Sequence, residues 1–283
     1  MKQGIIVKNI SNQYDCLVDN EIITCVPRGK FRFDKQVPLV GDQVLVEVDD
    51  KIIKEILPRK NELTRPSVAN VDIALVITSV KKPDLSLTLL DKQLVLIEKN
   101  RIKPIIVFTK VDLLNKQEKQ NIKDVMNYYR NIGYEVLTNQ NLWTLKRVLK
   151  KKVVVLTGQT GAGKSSLINK LDKHLNIKTS PISEALGRGV HTTRNTEIYN
   201  VKSIYIVDTP GFSSLDLVSI SPEELKEYFK EFKKINCEFK DCKHEKNCNV
   251  SKAVEKGIIR KSRYDNYLRF LKECYETSSK LFK

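Results

Sequence analysis

A segment of eight residues constrains the fold of this chain more than any other feature. It matches the pattern G-x-x-x-x-G-K-[ST] and consists of Gly158, Gln159, Thr160, Gly161, Ala162, Gly163, Lys164 and Ser165. An apolar run at residues 152–157 precedes it, and a helical pattern at 164–173 follows it. Glycines in this setting let backbone N–H groups surround phosphates at a helix N-terminus, where the dipole favours negative charge. The segment therefore predicts a phosphate loop that binds a nucleoside triphosphate. We expect Lys164 to reach the β- and γ-phosphates, Ser165 to ligate magnesium and Ser166 to join the nucleotide contacts.

Strands and helices alternate around this phosphate loop. Apolar runs of strand length occupy residues 71–80, 104–109, 134–138, 153–157 and 203–207, and helical patterns occupy 87–100, 116–132 and 164–173. Continuous apolar strands separated by helices are typical of a parallel sheet covered on both faces. The central part of the chain is therefore predicted to be an α/β domain.

A second strand end carries Asp208-Thr209-Pro210-Gly211, 43 residues beyond Ser165. An aspartate there can hold magnesium through water while the Gly211 amide faces the γ-phosphate, so the loop would sense hydrolysis. Between the two motifs, residues 187–194 occupy the position of a first switch. Thr192 or Thr193 would complete the magnesium shell, and the sequence leaves the choice open. An ordinary turn before a strand at 196–201 is the alternative for this segment.

A base-recognition motif is predicted at Thr109-Lys110-Val111-Asp112, after the run at 104–109. The carboxylate of Asp112 can accept hydrogen bonds from N1–H and the 2-amino group of guanine, which adenine does not offer. Thr109 stands where Asn is commoner. This motif precedes the phosphate loop, whereas a Ras-like GTPase has the opposite order. Both motifs need only lie at the carboxyl edge of one sheet, so the order indicates a circularly permuted P-loop GTPase domain.

The N-terminal 57 residues have a different pattern. Short alternating apolar runs at 4–7, 16–18, 21–26, 43–48 and 52–57 are separated by Asn, Asp, Pro and Gly. This pattern predicts a small all-β barrel. A five-stranded oligonucleotide-binding barrel fits the count, and another small barrel fits nearly as well. Residues 58–61 and Arg65-Pro66 predict a linker.

The C-terminal segment contains a candidate metal site. Cys237, Cys242, His244 and Cys248 provide three thiolates and one imidazole, the donor set of a structural zinc site holding one ion per chain. Incidental clustering in a Lys-rich loop is the alternative, and the short gap before Cys248 leaves that ligand the most open to doubt. Ser221-Pro222 predicts a helix start. Residues 261–274 predict a helix whose aromatic side chains pack in a core, with stacking on bases as the alternative.

Charge indicates the class of partner. Fifty Lys and Arg against 34 Asp and Glu give a net charge of +16. Such an excess attracts polyanions, and RNA is the expected partner; a Lys-rich composition alone is the alternative. No apolar run approaches the roughly 18 residues that span a bilayer, and the first residues do not form a signal peptide. We therefore expect a cytoplasmic protein without a membrane partner and, in that reducing compartment, free cysteines.

The whole chain resembles the ribosome small-subunit-dependent GTPase A family, RsgA or YjeQ. The similarity rests on short motifs: residues 58–61, Arg65-Pro66, residues 69–72, 158–167, 187–194, 208–212 and 239–244. This chain departs from the usual family pattern at three places. Thr109 replaces Asn, Thr160 and Ala162 replace Ser and Val, and the gap between His244 and Cys248 is shorter than usual. The resemblance implies domains at 1–62 (barrel), 63–215 (permuted GTPase) and 216–283 (zinc-binding helical module).

The resemblance also implies a function. The GTP form would bind the small ribosomal subunit and its rRNA late in maturation, the subunit would stimulate hydrolysis to GDP, and the protein, expected to be a monomer, would then dissociate. Phe212 cannot orient water as a glutamine does, so unaided hydrolysis should be slow and His191 becomes a candidate for positioning water. The catalytic candidates are Lys164, His191, Thr192, Thr193, Asp208 and Gly211. Two other functions stay open: an ATP-dependent RNA kinase or ATPase, and an RNA-binding assembly factor that uses nucleotide only as a structural ligand.

Overall fold

The computed structural model describes residues 1–29, 31, 36–64, 67–172, 196–207, 217–239 and 241–281. The chain divides into two compact units. The first comprises Met1–Leu75, Gln140–Thr157 and Gly163–Ser213, and the second Val76–Asn139, Gly158–Ala162 and Ser214–Lys283.

The first unit begins with a closed barrel, as the alternating pattern predicts. Its strands are β1 (Lys2–Ile10), β2 (Gln13–Val18), β3 (Glu21–Pro27), β4 (Gln43–Glu47) and β5 (Ile52–Ile56), in the order β1-β2-β3-β5-β4. Strand β1 is longer than predicted because it pairs with both β2 and β4. Alternate side chains fill the interior, among them Ile6, Cys16, Val44 and Ile53, which are fully buried. The barrel therefore has its own apolar core.

The segment after the barrel is more ordered than the predicted linker. Strands β6 (Glu62–Thr64) and β7 (Ser67–Ala69) form an antiparallel hairpin; Arg65 and Pro66 lie outside the described residues. Arg59 binds the buried Asp42 through two hydrogen bonds of 2.7 Å, and Asn70 bridges the Lys60 amide and the Gly41 carbonyl. Residues 58–61 form no strand, as a linker requires. The hairpin and the side-chain hydrogen bonds of Arg59 and Asn70 were not predicted, because such contacts are not visible as periodicity.

Among the described residues, six strands form the central sheet in the order β10-β9-β8-β11-β13-β12. They are β8 (Ile73–Ser79), β9 (Lys103–Thr109), β10 (Glu135–Thr138), β11 (Val153–Thr157), β12 (Ile198–Val201) and β13 (Ile204–Val207). Pairing is parallel between β9 and β10 and between β11 and β13, as predicted. The predicted parallel arrangement does not extend to β12, which pairs antiparallel with β13. Lys202 and Ser203 both have positive φ, and such a two-residue turn joins antiparallel strands only.

The structure describes six α-helices, of which the first four lie between the strands given above and the last two follow β13. They are α1 (Leu87–Lys99), α2 (Lys116–Asn131), α3 (Leu142–Leu149), α4 (Lys164–Leu171), α5 (Asn249–Glu255) and α6 (Lys261–Leu281). Ser86 caps α1, and Asn115 and Glu118 form a capping box on α2. Helix α3 was not predicted, since its eight residues bury only Leu145 and Leu149. No helix in the described part of the chain is long and apolar enough to cross a membrane.

The helix predicted to start at Ser221 does not form. Ser221 Oγ accepts from the Glu224 amide at 3.2 Å, but the chain continues as a 3-10 helix at Leu225–Tyr228. Phe229 is extended and ends it, and its ring then stacks on Phe232 at 5.1 Å. Tertiary packing therefore overrides the capping signal. The prediction for the last helix is confirmed, because Tyr264, Tyr267 and Leu271 are buried in this core.

Candidate functional site

The phosphate loop, residues 158–165, lies between β11 and α4 as predicted. Gly158, Gly161 and Gly163 have φ values of +141°, +77° and +93°, which residues with a Cβ rarely adopt. A Cβ on Gly158 would lie 2.0 Å from the Ile77 carbonyl oxygen, so the loop also needs glycine for space. The backbone alone thus gives this loop a conformation suited to surround phosphates.

Lys164 and Ser165 open helix α4, with Gly163 as the N-cap residue. Burial lowers the pKa of Lys164 from its ordinary value. Ser166 follows on the exposed side of the same turn. A partly buried ammonium at a helix N-terminus lacks a full water shell, so an anionic group is a favourable partner for it.

The base motif, residues 109–112, is joined to the phosphate loop by one hydrogen bond. Thr109, which is 3% exposed, ends β9 and donates through Oγ1 to the Ala162 carbonyl at 2.6 Å. Lys110 adopts a left-handed conformation and its ammonium donates to the Lys82 carbonyl. The side chain of Asp112 is exposed in a short 3-10 helix. Thr109 therefore holds the two motifs together, a role that sequence reasoning did not identify.

Asn139 is a further candidate for this site that sequence reasoning missed, because it lies at the same edge of the sheet as Thr109. It follows β10, whose last residue, Thr138, is level with Phe108 of the neighbouring β9. The Asn139 amide donates to the Phe108 carbonyl at 2.9 Å, while its side-chain Oδ1 is buried without a hydrogen-bond partner. An unpaired buried amide oxygen can accept from a ligand. The available signal was a polar residue directly after a buried parallel strand.

Five predicted catalytic residues cannot be placed. His191, Thr192, Thr193, Asp208 and Gly211 lie outside the described residues, as does Phe212. Their roles stay predictions.

The Cys3His cluster of the second unit brings all four predicted metal ligands together. The donor atoms of Cys237, Cys242, His244 and Cys248 lie within 4.8 Å of one another. His244 Nδ1 is 3.4 Å from the Cys237 sulfur and 3.8 Å from the Cys248 sulfur. Tetrahedral zinc with ordinary bond lengths separates such atoms by about 3.5–3.8 Å. The residues present therefore fit zinc.

Two left-handed residues explain how the short gap before Cys248 suffices. His244 and Asn247 have φ values of +56° and +53°. Each turns the chain sharply, so three intervening residues return it to the cluster. The gap of three residues between His244 and Cys248 is therefore compatible with Cys248 as the fourth ligand.

The electrostatics of the cluster favour the metal-binding protonation state at Cys248 and His244, whereas burial raises the pKa of Cys242. Burial raises the pKa of Cys248, but hydrogen bonds from the Ser251 and Val250 amides at the start of α5, together with those from the Cys242 and Cys237 thiols, bring that pKa below its ordinary value. Burial lowers the pKa of His244, and the Lys226 ammonium adds to this effect. A thiolate and a neutral imidazole are the forms that ligate zinc.

A buried scaffold supports this cluster. Tyr264 and Tyr267 of α6 donate to the His244 and Lys243 carbonyls at 2.7 and 2.5 Å. Deeper in the same core, the fully buried Arg263 binds Asp91 of α1 at 2.7 Å and Glu231 at 2.8 Å. Although burial by itself lowers the pKa of Arg263, the two carboxylates raise it well above its ordinary value. The guanidinium therefore stays charged.

Comparisons with known proteins agree with this architecture. The RsgA GTPase family model matches residues 56–218, and the RsgA N-terminal domain model matches residues 3–52. Two similar relatives are both called small ribosomal subunit biogenesis GTPase RsgA. The one from Caldanaerobacter subterraneus subsp. tengcongensis is 42% identical over 99% of this chain and 98% of its own. The one from Bacillus cereus is 43% identical over 98% of each chain.

Two solved structures share the fold. The crystal structure of YjeQ from Thermotoga maritima has a TM-score of 0.85 at 36% identity, over 97% of this chain and 98% of that one. The structure of YloQ, a circularly permuted GTPase, has a TM-score of 0.83 at 36% identity, over 98% and 96%. The predicted permutation is thus confirmed. With a matched family model over more than half its length and close relatives over nearly all of it, the chain belongs to the RsgA GTPase family and is a GTP hydrolase.

Proposed function

We propose that this GTPase acts in late maturation of the small ribosomal subunit. The observation that carries the proposal is the identity of 42–43% over nearly the full length to relatives named for small ribosomal subunit biogenesis. The GTP form binds the subunit and its rRNA, the subunit stimulates hydrolysis, and the GDP form dissociates. The net charge of +16 supports an RNA partner.

Nucleotide binding is assigned to the two motifs that Thr109 joins. Residues 158–166 hold the phosphates, with Lys164 at the β- and γ-phosphates. Asp112 accepts from guanine, and Asn139 lies on the same sheet edge with an unpaired oxygen. Ser165 and Asp208 would hold magnesium, which neutralises phosphate charge when bound. These assignments favour GTP and GDP over adenine nucleotides.

Hydrolysis is assigned to the first and second switches. Thr192 or Thr193 would help to hold magnesium, Gly211 would face the γ-phosphate, and His191 would position the attacking water once the subunit orders the first switch. Because Phe212 offers no hydrogen bond to water, turnover without the subunit is slow.

The flanking modules contact rRNA in this proposal. The domain limits are 1–62 for the barrel, 63–215 for the GTPase domain and 216–283 for the zinc-binding module. One zinc ion held by the Cys3His cluster would order its loop. The protein acts in the cytoplasm as a monomer.

Phosphate release from GTP and from ATP, with and without purified small subunits, tests the proposal. We expect GTP-selective turnover that rises strongly with subunits. The variant Asp112→Asn should lose selectivity for guanine and gain affinity for xanthosine triphosphate, since xanthine carries a C2 carbonyl where guanine carries an amino group. ATP turnover equal to GTP turnover would favour the kinase or ATPase alternative. Nucleotide binding without turnover in the presence of subunits would favour the binding factor.

A separate variant tests the proposed role of His191. His191→Ala should abolish subunit-stimulated turnover while leaving GTP affinity unchanged. Full stimulation in this variant would exclude the role.

A further inference from the structure

The outer face of α3 exposes the single tryptophan of the chain. Trp143 is 71% exposed. Leu145 and Leu149 form the buried face of this helix, so its packing does not depend on the indole. Tryptophan is among the residues that proteins bury most on average. The exposure of Trp143 is therefore better explained by a binding partner than by folding.

Cations surround this indole. The Arg147 guanidinium lies over the ring, with 4.7 Å between its carbon and the ring centroid. Lys146 and Arg147 lie at the i+3 and i+4 positions from Trp143 and so share its face of α3. Lys150, the C-cap residue, follows at the end of this face, about 10 Å along the helix axis from Trp143. Lys146, Arg147 and Lys150 are exposed, and none forms a salt bridge with any residue that the structure describes.

Local sequence makes this face strongly positive. No Asp or Glu occurs between Glu135 and Asp172, whereas Lys146, Arg147, Lys150, Lys151, Lys152, Lys164 and Lys170 lie in that interval. The negative end of the helix dipole favours cations in the last turn of α3. That effect does not account for an exposed indole beside them.

We propose that the outer face of α3, formed by Trp143, Lys146, Arg147 and Lys150, binds single-stranded RNA. An unpaired base stacks on the indole, the Arg147 guanidinium completes the stack, and the lysines hold the adjacent phosphates. Double-stranded RNA keeps its bases inside the helix and offers no free ring face. A protein partner with an apolar surface is a less favourable occupant of this face. It would bury the charges of Lys146, Arg147 and Lys150 without counter-charges, which is costly. The inference deepens the proposed function, on which it rests for the identification of the RNA as rRNA.

Because Trp143 is the chain's single tryptophan, its fluorescence reports on this site alone. Octauridine should quench and shift the emission of the full-length protein as the base covers the indole. A double-stranded RNA of equal charge should bind elsewhere on the basic surface without that change. Unchanged emission at saturating octauridine would overturn the inference.

Variants separate stacking from charge. Trp143→Ala should weaken octauridine binding about 5- to 150-fold, measured by anisotropy of labelled RNA, whereas Trp143→Phe should retain most of the affinity. Arg147→Gln with Lys150→Gln should reduce the salt dependence of binding, lowering the slope by about 1.4. The matched control, Lys119→Gln with Lys123→Gln, removes two exposed charges from α2 and should have a smaller effect. Equal effects of the two charge pairs, or an unchanged affinity in Trp143→Ala, would refute a specific site.

Subunit binding distinguishes this inference from the proposed function. Trp143→Ala should bind GTP normally and bind small subunits more weakly than the wild type. If subunits stimulate the wild type but Trp143→Ala binds octauridine normally, the RNA site on α3 is refuted and the proposed function stands. If octauridine binding depends on Trp143 but subunits do not stimulate GTP hydrolysis, the RNA site stands and the proposed function is refuted. Weaker subunit binding by Trp143→Ala without any emission change on octauridine would indicate a protein partner and overturn the RNA assignment.

Discussion

The phosphate loop and the loop of the Cys3His cluster both contain left-handed residues, but different chemistry stabilises them. In the phosphate loop the positive φ values belong to glycines, for which they carry almost no steric cost. In the Cys3His loop they belong to His244 and Asn247, for which they cost about 1 kcal/mol or more each. The first loop is preorganised by its backbone, whereas the second depends on side-chain interactions that offset strain.

This difference predicts how each loop responds to change. The phosphate loop should keep its shape without a ligand and be sensitive to any added Cβ. The Cys3His loop should tolerate changes in many surface positions but fail when its ligand or its buried supports are removed.

Loss of the metal should have the largest effect. Cys242→Ser removes one thiolate, and structural zinc contributes on the order of 10 kcal/mol to folding in small domains. We expect zinc content to fall from one ion per chain to near zero, and amides in residues 241–281 to lose hydrogen-exchange protection. Nucleotide affinity should change less than about twofold, because the phosphate loop does not need this metal.

Cys274→Ala is the matched control, since Cys274 is buried in α6 but is not a member of the cluster. Its zinc content should equal that of the wild type. A zinc content for Cys242→Ser that also equals the wild type would contradict a structural metal site.

Removal of the buried cation should have the next largest effect. Arg263→Met leaves Asp91 and Glu231 buried without a counter-charge, which typically costs about 3–5 kcal/mol. Urea unfolding measured by near-ultraviolet circular dichroism should show this loss. Adding Asp91→Asn and Glu231→Gln should recover much of it. Failure of the triple variant to recover would mean that packing, and not charge, sets the cost.

A methyl group on the phosphate loop should act on binding more than on stability. Gly158→Ala places a Cβ 2.0 Å from the Ile77 carbonyl oxygen at a φ of +141°, so the loop must move. We expect GTP affinity to fall by about 100-fold or more, measured with a fluorescent GTP analogue. Gly257→Ala is the control, since its φ is +72° with nothing within 4 Å of the added Cβ. Equal nucleotide affinity in both variants would show that the loop is adaptable.

The sequence predicted the site most reliably where the backbone itself determines function. Gly158, Gly163 and Lys164 follow a fixed spacing whose conformation is nearly independent of the rest of the chain, so the loop was found from local pattern. Apolar periodicity likewise predicted the barrel and most strands of the sheet, because burial of alternate or continuous side chains determines both.

Features set by contacts between distant residues were not predictable. The hydrogen bond between Thr109 and Ala162 joins residues 53 positions apart in sequence. The hydrogen bond between Arg263 and Asp91 joins residues 172 positions apart. Nothing in local composition indicates such pairs. The antiparallel direction of β12 was not predicted for a related reason, since it depends on a two-residue turn and not on the apolar residues of the strand.

The smallest effect is expected from removing the hydrogen bond between Thr109 and Ala162, which joins the base motif to the phosphate loop. Thr109→Val keeps the shape of the side chain but removes the donor that the Ala162 carbonyl accepts at 2.6 Å. An unsatisfied buried acceptor costs about 1–2 kcal/mol, so GTP and GDP affinities should both fall about 5- to 30-fold. Thr109→Ser keeps the hydroxyl and should bind almost normally, whereas Thr144→Val on α3 controls for a threonine outside the site. If Thr109→Val bound nucleotide as tightly as the wild type, the phosphate loop would be organised by its glycines alone, and the contrast with the Cys3His loop would be sharper than proposed.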